Sequence, residues 1–143
     1  MEVALLLWYA KYSVPKNVLY TRLLKDAEET LLHLSRSLNT IELHLADSAS
    51  MREMKKTYLK KEQEIVDVLA FPADTSFPNP DLPDSLGEIY LNEEAFGEDY
   101  EKMRFLLVHG VLHLLGYDHQ EDHDTMEMEK LEALLCQHLV SLD

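Results

Sequence analysis

The sequence is poor in cysteine: its 143 residues include a single one, Cys136. A lone cysteine leaves no partner for an intramolecular disulfide, which suits a reducing compartment. Cys136 lies close to Leu134, Leu135 and Leu139. That setting is typical of a small core residue rather than a nucleophile.

Positive charge is also scarce, since 13 Lys and Arg face 27 Asp and Glu for a formal net charge of -14. Overall this argues against a nucleic-acid partner, because phosphate binding needs cations. The cations are nevertheless concentrated in residues 52–61, while acids dominate residues 118–132. A surface divided in this way can hold a polyanion locally, but for a charge run alone a solvated helix face is the favoured interpretation. The basic residues of this segment are Arg52, Lys55, Lys56, Lys60 and Lys61.

Long hydrophobic runs are absent as well. The apolar run at residues 3–10, VALLLWYA, is too short to span a membrane. Glu2 precedes it instead of basic residues, and no clear cleavage site follows, so a signal peptide is disfavoured. The run therefore predicts a buried strand. Without a targeting segment, we expect a cytoplasmic protein with no membrane partner.

Apolar periodicity predicts an α+β fold, and 143 residues fit one domain, 1–143. Residues 72–84 hold four of the five prolines and predict a loop. We expect a small mixed sheet of about four strands packed with helices, the helix at residues 98–115 being central. The predicted order is strand 3–10, helix 18–38, strand 41–46, a helix capped by Asp47 or Ser48, strands 65–71 and 86–91, a short helix capped by Asn92, and helices 98–115 and 120–139. In the last helix the residues expected to face inward are Met126, Leu131, Leu134, Leu135 and Leu139.

Three histidines carry the clearest chemical signal. His109 and His113 are four residues apart, so on a helix they project from one face and can reach one ion. Gly116 permits a sharp turn, after which His119 can fold back toward them. Three neutral nitrogen ligands with a fourth position open to water are typical of catalytic zinc. The spacing therefore predicts one zinc ion on these three residues, although another divalent metal is an alternative.

The same spacing occurs in the metalloprotease motif H-E-x-x-H-x-x-G-x-x-H, but the general-base Glu is replaced by Gly110. Glycine cannot accept a proton from a metal-bound water, so proteolysis is disfavoured. A glycine within a helix costs about 1 kcal/mol relative to alanine. Room beside the metal for a bulky substrate is one explanation for it.

The remaining candidates near the motif are weaker. Asp118 is a candidate to orient a ligand imidazole, or equally to cap the turn. His123 is interpreted first as a surface or structural residue, although its closeness in sequence also allows it to support a ligand in the same way. His33, His44 and His138 lack comparable partners in the sequence and are interpreted as surface or structural residues.

Residues 109–119 read HGVLHLLGYDH, which resembles the signature of the YbeY family of bacterial rRNA-maturation endoribonucleases. Residues 67–72, DVLAFP, and residues 86–89, LGEI, are similar to two upstream strands of that family. The resemblance covers roughly residues 40–135. It implies zinc on His109, His113 and His119 and a small mixed sheet with helices. It also implies single-strand-specific endoribonuclease activity on the 3′ end of small-subunit rRNA, a part in ribosome quality control, and rRNA and the small subunit as partners.

The sequence departs from the family pattern ahead of the DVL strand. Tyr58–Leu59 stands where the family usually has Tyr or Phe followed by Arg, and Val66 stands for Thr. Lys60 or Lys61 could replace the arginine, although a lysine lacks its planar fork. We take Lys55, Lys56, Lys60 and Lys61 as the candidate phosphate-binding residues.

Several alternatives remain open. The attacking group in RNA cleavage would be either a metal-bound hydroxide or the 2′-hydroxyl of the RNA itself. A non-catalytic ribosome-assembly factor with a structural metal is a different class of function, and another metallohydrolase or peptidase is a third. The acidic last helix, with Glu127 and Glu129, could dock a basic ribosomal protein.

Overall fold

The computed structural model describes residues 14–73, 84–118 and 121–143. Helices and strands alternate before a helical C-terminal half, which confirms the predicted α+β class. The elements are α1 (Val14–His33), β1 (Thr40–Ala46), α2 (Ser48–Leu59), β2 (Val68–Pro72), β3 (Ser85–Asn92), α3 (Glu93–Phe96), α4 (Tyr100–Leu114) and α5 (Asp122–Ser141).

The strands form a mixed sheet in the order β1-β3-β2, with β1 parallel and β2 antiparallel to β3. This is three strands in the described ranges, against the prediction of about four, and the strand predicted at residues 3–10 lies outside them. Gly87 has a φ of 135°, and a Cβ there would lie 2.2 Å from the carbonyl oxygen of Phe71. Only glycine therefore permits the β2–β3 pairing at this point.

The two faces of the sheet pack against different helices. Leu43, Ile89 and Leu91 belong to a core cluster with residues of α1 and α4. On the other face, Met51 of α2 packs with Leu69 and the partly buried Tyr90. Because side chains alternate along a strand, α4 and α2 lie on opposite faces of the sheet.

Helix α4 is the central helix, as predicted, and most of its residues are buried. Val108 and Leu112 of α4 form a second cluster with the buried residues Met128, Leu135 and Leu139 of α5, against which Cys136 is partly buried. The prediction that Met126 and Leu134 face inward is wrong, because both are exposed. The α5 residues that pack against α4 are instead Met128, Leu135 and Leu139.

Two element boundaries differ from the sequence prediction. Helix α1 ends at His33 and not at Leu38, because Ser35 has a φ of 59° and the amide of Arg36 donates to the carbonyl oxygen of Leu31 at 2.7 Å. Leu38 is consequently 85% exposed. Strand β2 begins at Val68 instead of residue 65, since the carbonyl oxygen of Val66 accepts a side-chain hydrogen bond from Asn92.

Asn92 is a buried polar residue that joins three elements. Its Oδ1 accepts from the amide of Ala95 at 3.0 Å, which confirms the predicted cap of α3. Its Nδ2 donates to the carbonyl oxygen of Val66 and to Oγ of Ser48, both at 3.0 Å. The predicted cap of α2 is also present, as Asp47 Oδ1 accepts from the amide of Ser50 at 2.7 Å.

A buried ion pair fastens α1 to α4. Arg104 Nε donates to Asp26 Oδ2 at 3.0 Å, and its Nη2 donates to Asp143 Oδ1 at 2.8 Å. The Tyr100 hydroxyl also donates to Asp26. Burial, followed by this contact with Asp26, raises the pKa of Tyr100, and the hydrogen bond from Arg104 lowers the pKa of Asp143.

None of the helices in the described part of the chain combines the length and apolar character that crossing a membrane requires.

Candidate metal centre and family

Helix α4 brings His109 and His113 together. The helix begins where Asp99 accepts a hydrogen bond from the amide of Lys102 at 3.1 Å, and its last turn carries His113. The two Nε2 atoms lie 2.9 Å apart, and the ring centroids are 4.5 Å apart at an interplanar angle of 78°. The imidazoles therefore converge on one point through the same ring nitrogen.

This convergence fits a metal ion. Two nitrogens held about 2.0 Å from a tetrahedral zinc ion lie about 3.3 Å apart. The observed Nε2–Nε2 distance of 2.9 Å between His109 and His113 is that of a hydrogen bond between the two rings, and a small rotation of the side chains opens it to that separation. His119, the predicted third ligand, lies outside the described residues, so its place in the site stays a prediction.

Glu132 of α5 contacts the ring of His109 at Nδ1, the nitrogen that does not face His113. Its Oε1 lies 3.2 Å from Nδ1 of His109, and the residue is 3% exposed. A carboxylate accepts, so Nδ1 carries the proton, and in the neutral imidazole Nε2 then keeps its lone pair for a metal. The sequence interpretation missed Glu132. A carboxylate four residues after Met128 and three before Leu135, on the buried face of α5, was the available signal.

The end of α4 has the geometry expected for a glycine stop. Gly116 has a φ of 100°, its amide donates to the carbonyl oxygen of His113 at 3.0 Å, and the amide of Tyr117 donates to that of Leu112 at 3.0 Å. These two bonds form a Schellman motif, which closes the helix and turns the chain. Asp118 follows as a half-buried residue, and whether it orients a ligand or caps the turn stays a prediction.

The explanation that Gly110 makes room for a substrate needs correction. Gly110 is buried, and a Cβ there would lie 3.1 Å from Cγ2 and 3.2 Å from Cδ1 of Ile89. The missing side chain lets α4 approach β3 closely. Packing against the sheet therefore accounts for the glycine that stands where the metalloprotease motif has its base.

Residues 13–140 match the sequence model of the family described as Endoribonuclease YbeY. The chain belongs to the YbeY family. Curated relatives named Endoribonuclease YbeY support this assignment. One from a Sulfurovum species is 31% identical over 117 residues, covering 74% of this chain and 79% of the relative. One from Bartonella bacilliformis is 32% identical over 133 residues, covering 87% and 84%. One from Pseudomonas putida is 38% identical over 105 residues, covering 68% and 66%.

The fold of this YbeY-family chain is also found in a solved structure. The solution structure of a protein from Thermotoga maritima superposes with a TM-score of 0.52 at 22% identity, covering 90% of this chain and 83% of that one. That likeness concerns the fold alone. The family and the curated relatives identify the activity as that of an endoribonuclease, which is a hydrolase.

The candidate phosphate-binding lysines of this YbeY-family chain lie in α2 and directly after it. Helix α2 lies across the sheet from α4, and Lys55 donates to Oε1 of Gln63. Lys60 caps the end of α2 in the left-handed conformation with a φ of 55°, and Lys61 follows it toward β2. Lys60 and Lys61 are exposed, and Lys56 is exposed on the helix surface. Their role in phosphate binding stays a prediction.

A second group of metal-ligating side chains lies on β1 and β3. Glu42, His44 and Glu88 each offer one ligand atom, and these atoms lie within 4.8 Å of one another. The sequence interpretation treated His44 as a residue without partners. Glu42 and His44 share a strand face by their spacing, but the third member arrives through cross-strand pairing, which a sequence does not show.

Proposed function

We propose that this chain is a zinc-dependent, single-strand-specific endoribonuclease of the cytoplasm that matures the 3′ end of small-subunit rRNA and takes part in ribosome quality control. Its ligands would be His109, His113 and His119. Its partners would be the rRNA and the small ribosomal subunit. The proposal extends the endoribonuclease activity of the family to a metal, a substrate and a process.

The observation that carries the proposal is the pair of converging Nε2 atoms on α4, 2.9 Å apart. Glu132 supports it, because a buried carboxylate on Nδ1 of His109 is the usual partner of a metal-binding imidazole. A divalent metal held there would supply Lewis-acid polarisation of a phosphate and activation of an attacking oxygen.

The chain's own residues have separate tasks in this proposal. Glu132 keeps the proton of His109 on Nδ1 and the ring in one orientation. Phe105, one turn before His109, is 39% exposed, and its ring centroid lies 6.1 Å from that of the imidazole. An exposed aromatic ring beside the metal ligands can stack on an unpaired base, which favours single-stranded RNA over a duplex.

The positions of the lysines suggest a path for the RNA backbone. Lys60 and Lys61 lie where the chain passes from α2 toward β2, the strand at one edge of the described sheet. They are therefore the better candidates to hold phosphates of an RNA bound on the α4 side. Lys55 and Lys56 lie within α2, on the other face of the sheet. They would contact the RNA only after it passes the edge formed by β2.

The test is cleavage of a synthetic small-subunit rRNA 3′ fragment by purified protein, with His113→Ala prepared in parallel. We expect wild type to cut the single-stranded fragment, not the annealed duplex, and His113→Ala to lose about a hundredfold or more in rate, since a metal ligand is removed. His138→Ala is the matched control, because His138 lies on α5 and contacts the ring of His33. A substrate with a 2′-deoxy residue at the cut site separates the two candidate attacking groups.

A non-catalytic ribosome-assembly factor is the second candidate. The separation of the α2 lysines from the histidine pair by the sheet favours it, as does the acidic surface of α5, where Glu127 and Glu129 are exposed. That surface would dock a basic ribosomal protein. Equal cleavage by wild type and His113→Ala, together with ribosome association that Glu127→Lys/Glu129→Lys abolishes, would replace the enzyme proposal with this one.

A further inference from the structure

The group formed by Glu42, His44 and Glu88 lies on a regularly paired part of the sheet. Strands β1 and β3 are parallel neighbours in which Glu42 pairs with Glu88 and His44 pairs with Tyr90. The three side chains therefore project from the same face. Nε2 of His44 lies 3.8 Å from Oε2 of Glu42 and 3.8 Å from Oε1 of Glu88.

The group faces away from the histidine pair of α4. Gly110 of α4 packs against Ile89, the residue that follows Glu88 along β3. Successive side chains of a strand point to opposite faces, so Ile89 faces α4 while Glu88 faces the other way. The two groups are separate sites on the two sides of one sheet.

Nε2 of His44 is an atom that needs a partner. It is buried, and it has no hydrogen-bond partner among the residues that the structure describes. A buried polar atom without a partner costs about 1–3 kcal/mol in general, so such atoms usually have a partner, which is a protein group, a water molecule or an ion. This one is directed at two carboxylates that lie too far away for a hydrogen bond.

Neighbouring residues hold both the imidazole and one carboxylate. The ring of His44 stacks on Tyr90, with centroids 4.6 Å apart and an interplanar angle of 15°. The hydroxyl of Tyr90 lies 3.5 Å from Oε2 of Glu88, which leaves Oε1 on the side of His44. Stacking and this contact preorganise one nitrogen and one oxygen toward a common point.

A protonated imidazole between the two carboxylates is the alternative arrangement. A charge-assisted N–H···O bond has a length of about 2.7–2.9 Å, so such an ion pair would draw the groups together. Two ligands of a tetrahedral dication, each about 2.1 Å from it, lie about 3.4 Å apart. The observed distances of 3.8 Å are closer to the metal geometry and need only a small inward movement of the two flexible glutamates.

We propose that Glu42, His44 and Glu88 bind a first-row transition-metal dication, with Zn²⁺ as its representative, at a second site that crosslinks β1 and β3. One imidazole and two carboxylates are a donor set that zinc accepts, and the two negative charges neutralise the ion. The site does not depend on RNA cleavage. Its consequence is a metal-dependent gain in the stability of the sheet.

The test uses full-length protein freed of metal and titrated with Zn²⁺ by calorimetry. Glu42→Gln/Glu88→Gln keeps the shape of both side chains and is expected to bind one equivalent fewer than wild type. His109→Ala/His113→Ala is expected to keep the equivalent that the glutamine variant loses. The matched control, Glu127→Gln/Glu129→Gln, removes two exposed carboxylates from α5 and should bind as many equivalents as wild type.

Two further readouts distinguish loss of the metal site from loss of the fold if a variant is destabilised. In the His109→Ala/His113→Ala background, Zn²⁺ should raise the melting temperature, and adding His44→Gln should abolish that rise. Co²⁺ in the same background should give visible absorption bands that disappear with His44→Gln. Unchanged stoichiometry in Glu42→Gln/Glu88→Gln, or a melting-temperature rise that survives His44→Gln, would overturn the second site.

Discussion

Nδ1 of His109 lies 3.2 Å from Oε1 of Glu132, across a sequence separation of 23 residues. This contact joins α4 to α5 and orients an imidazole whose other nitrogen faces His113 at 2.9 Å. The carboxylate is nearly inaccessible to water, and its charge also contributes, after burial, to a raised pKa of Cys136. The hydrogen bond with the imidazole of His109 explains why an acidic side chain is buried at this position.

We therefore expect Glu132→Ala to weaken zinc binding by about tenfold to a hundredfold, because loss of a carboxylate that orients a ligand imidazole has effects of that size. Competition with a chromogenic chelator measures the affinity. Glu129→Ala, an exposed position on the same helix, is the control. Equal affinity of Glu132→Ala and wild type would show that this acid has only a structural role.

Gly116→Ala should destabilise the protein by about 1 kcal/mol, the cost of placing a residue with a Cβ at positive φ. A Cβ there meets nothing within 4 Å, so the effect is confined to the backbone at a φ of 100°. Gly116→Asn should cost less, since asparagine tolerates this region better. Urea unfolding measures both. An alanine variant as stable as wild type would contradict the role of this turn.

Gly110→Ala tests the contact between α4 and β3. The gain in helix propensity is about 1 kcal/mol, and overpacking a core costs about 1–3 kcal/mol, so we expect a net loss of about 1 kcal/mol. In the Ile89→Val background, which removes the Cδ1 atom 3.2 Å from the new Cβ, the loss should shrink. A double-mutant cycle by urea unfolding measures this coupling. Additive effects would exclude the contact as the reason for the glycine.

The ion pair between Arg104 and Asp26 predicts a strong asymmetry between single and double variants. Asp26→Leu leaves a buried guanidinium without this carboxylate and should cost about 3–5 kcal/mol. Asp26→Leu/Arg104→Met removes both charges and should cost less than Asp26→Leu alone. Thermal unfolding of the three proteins measures the difference. A double variant less stable than the single variant would contradict this account.

The contact between Arg104 and Asp143 predicts how the stability of the protein depends on pH. Its pKa is lowered from the ordinary value of 3.8, first by the hydrogen bond from Arg104. A carboxyl with a lowered folded-state pKa adds stability above its unfolded pKa, and that stability is lost as the pH falls through the folded value. Asp143→Asn should therefore be less stable than wild type at pH 7, and the difference should shrink as the pH falls below 3.8 and through the lowered folded-state pKa. A difference that is the same at both pH values would exclude ionisation as the cause.

Much of the architecture follows from local patterns. The caps at Asp47 and Asn92, the alternation that marks β1, and the glycine that ends α4 act within a few residues, so the sequence predicts them. The family assignment has the same origin, since the motif at residues 109–119 is contiguous. Helical spacing alone also places His109 and His113 on one face, because residues four apart are one turn apart.

The boundaries and faces that were predicted wrongly depend on distant residues. Helix α1 stops at His33 because Ser35 adopts positive φ, which no proline or glycine announces. Met126 has apolar character but lies on the exposed side of α5, whose rotation is set by packing against α4. Hydrophobicity alone does not specify which of two apolar stripes a neighbouring helix will cover.

The sequence determines the α+β class, the order of the described elements and the pairing of His109 with His113, because helix period, capping and turn chemistry are local interactions. Tertiary structure alone decided that Gly110 meets Ile89, that Glu132 reaches His109, and that Glu88 joins Glu42 and His44. Each of these contacts joins separate elements. Their geometry depends on strand register and helix packing, which are determined only by the complete fold.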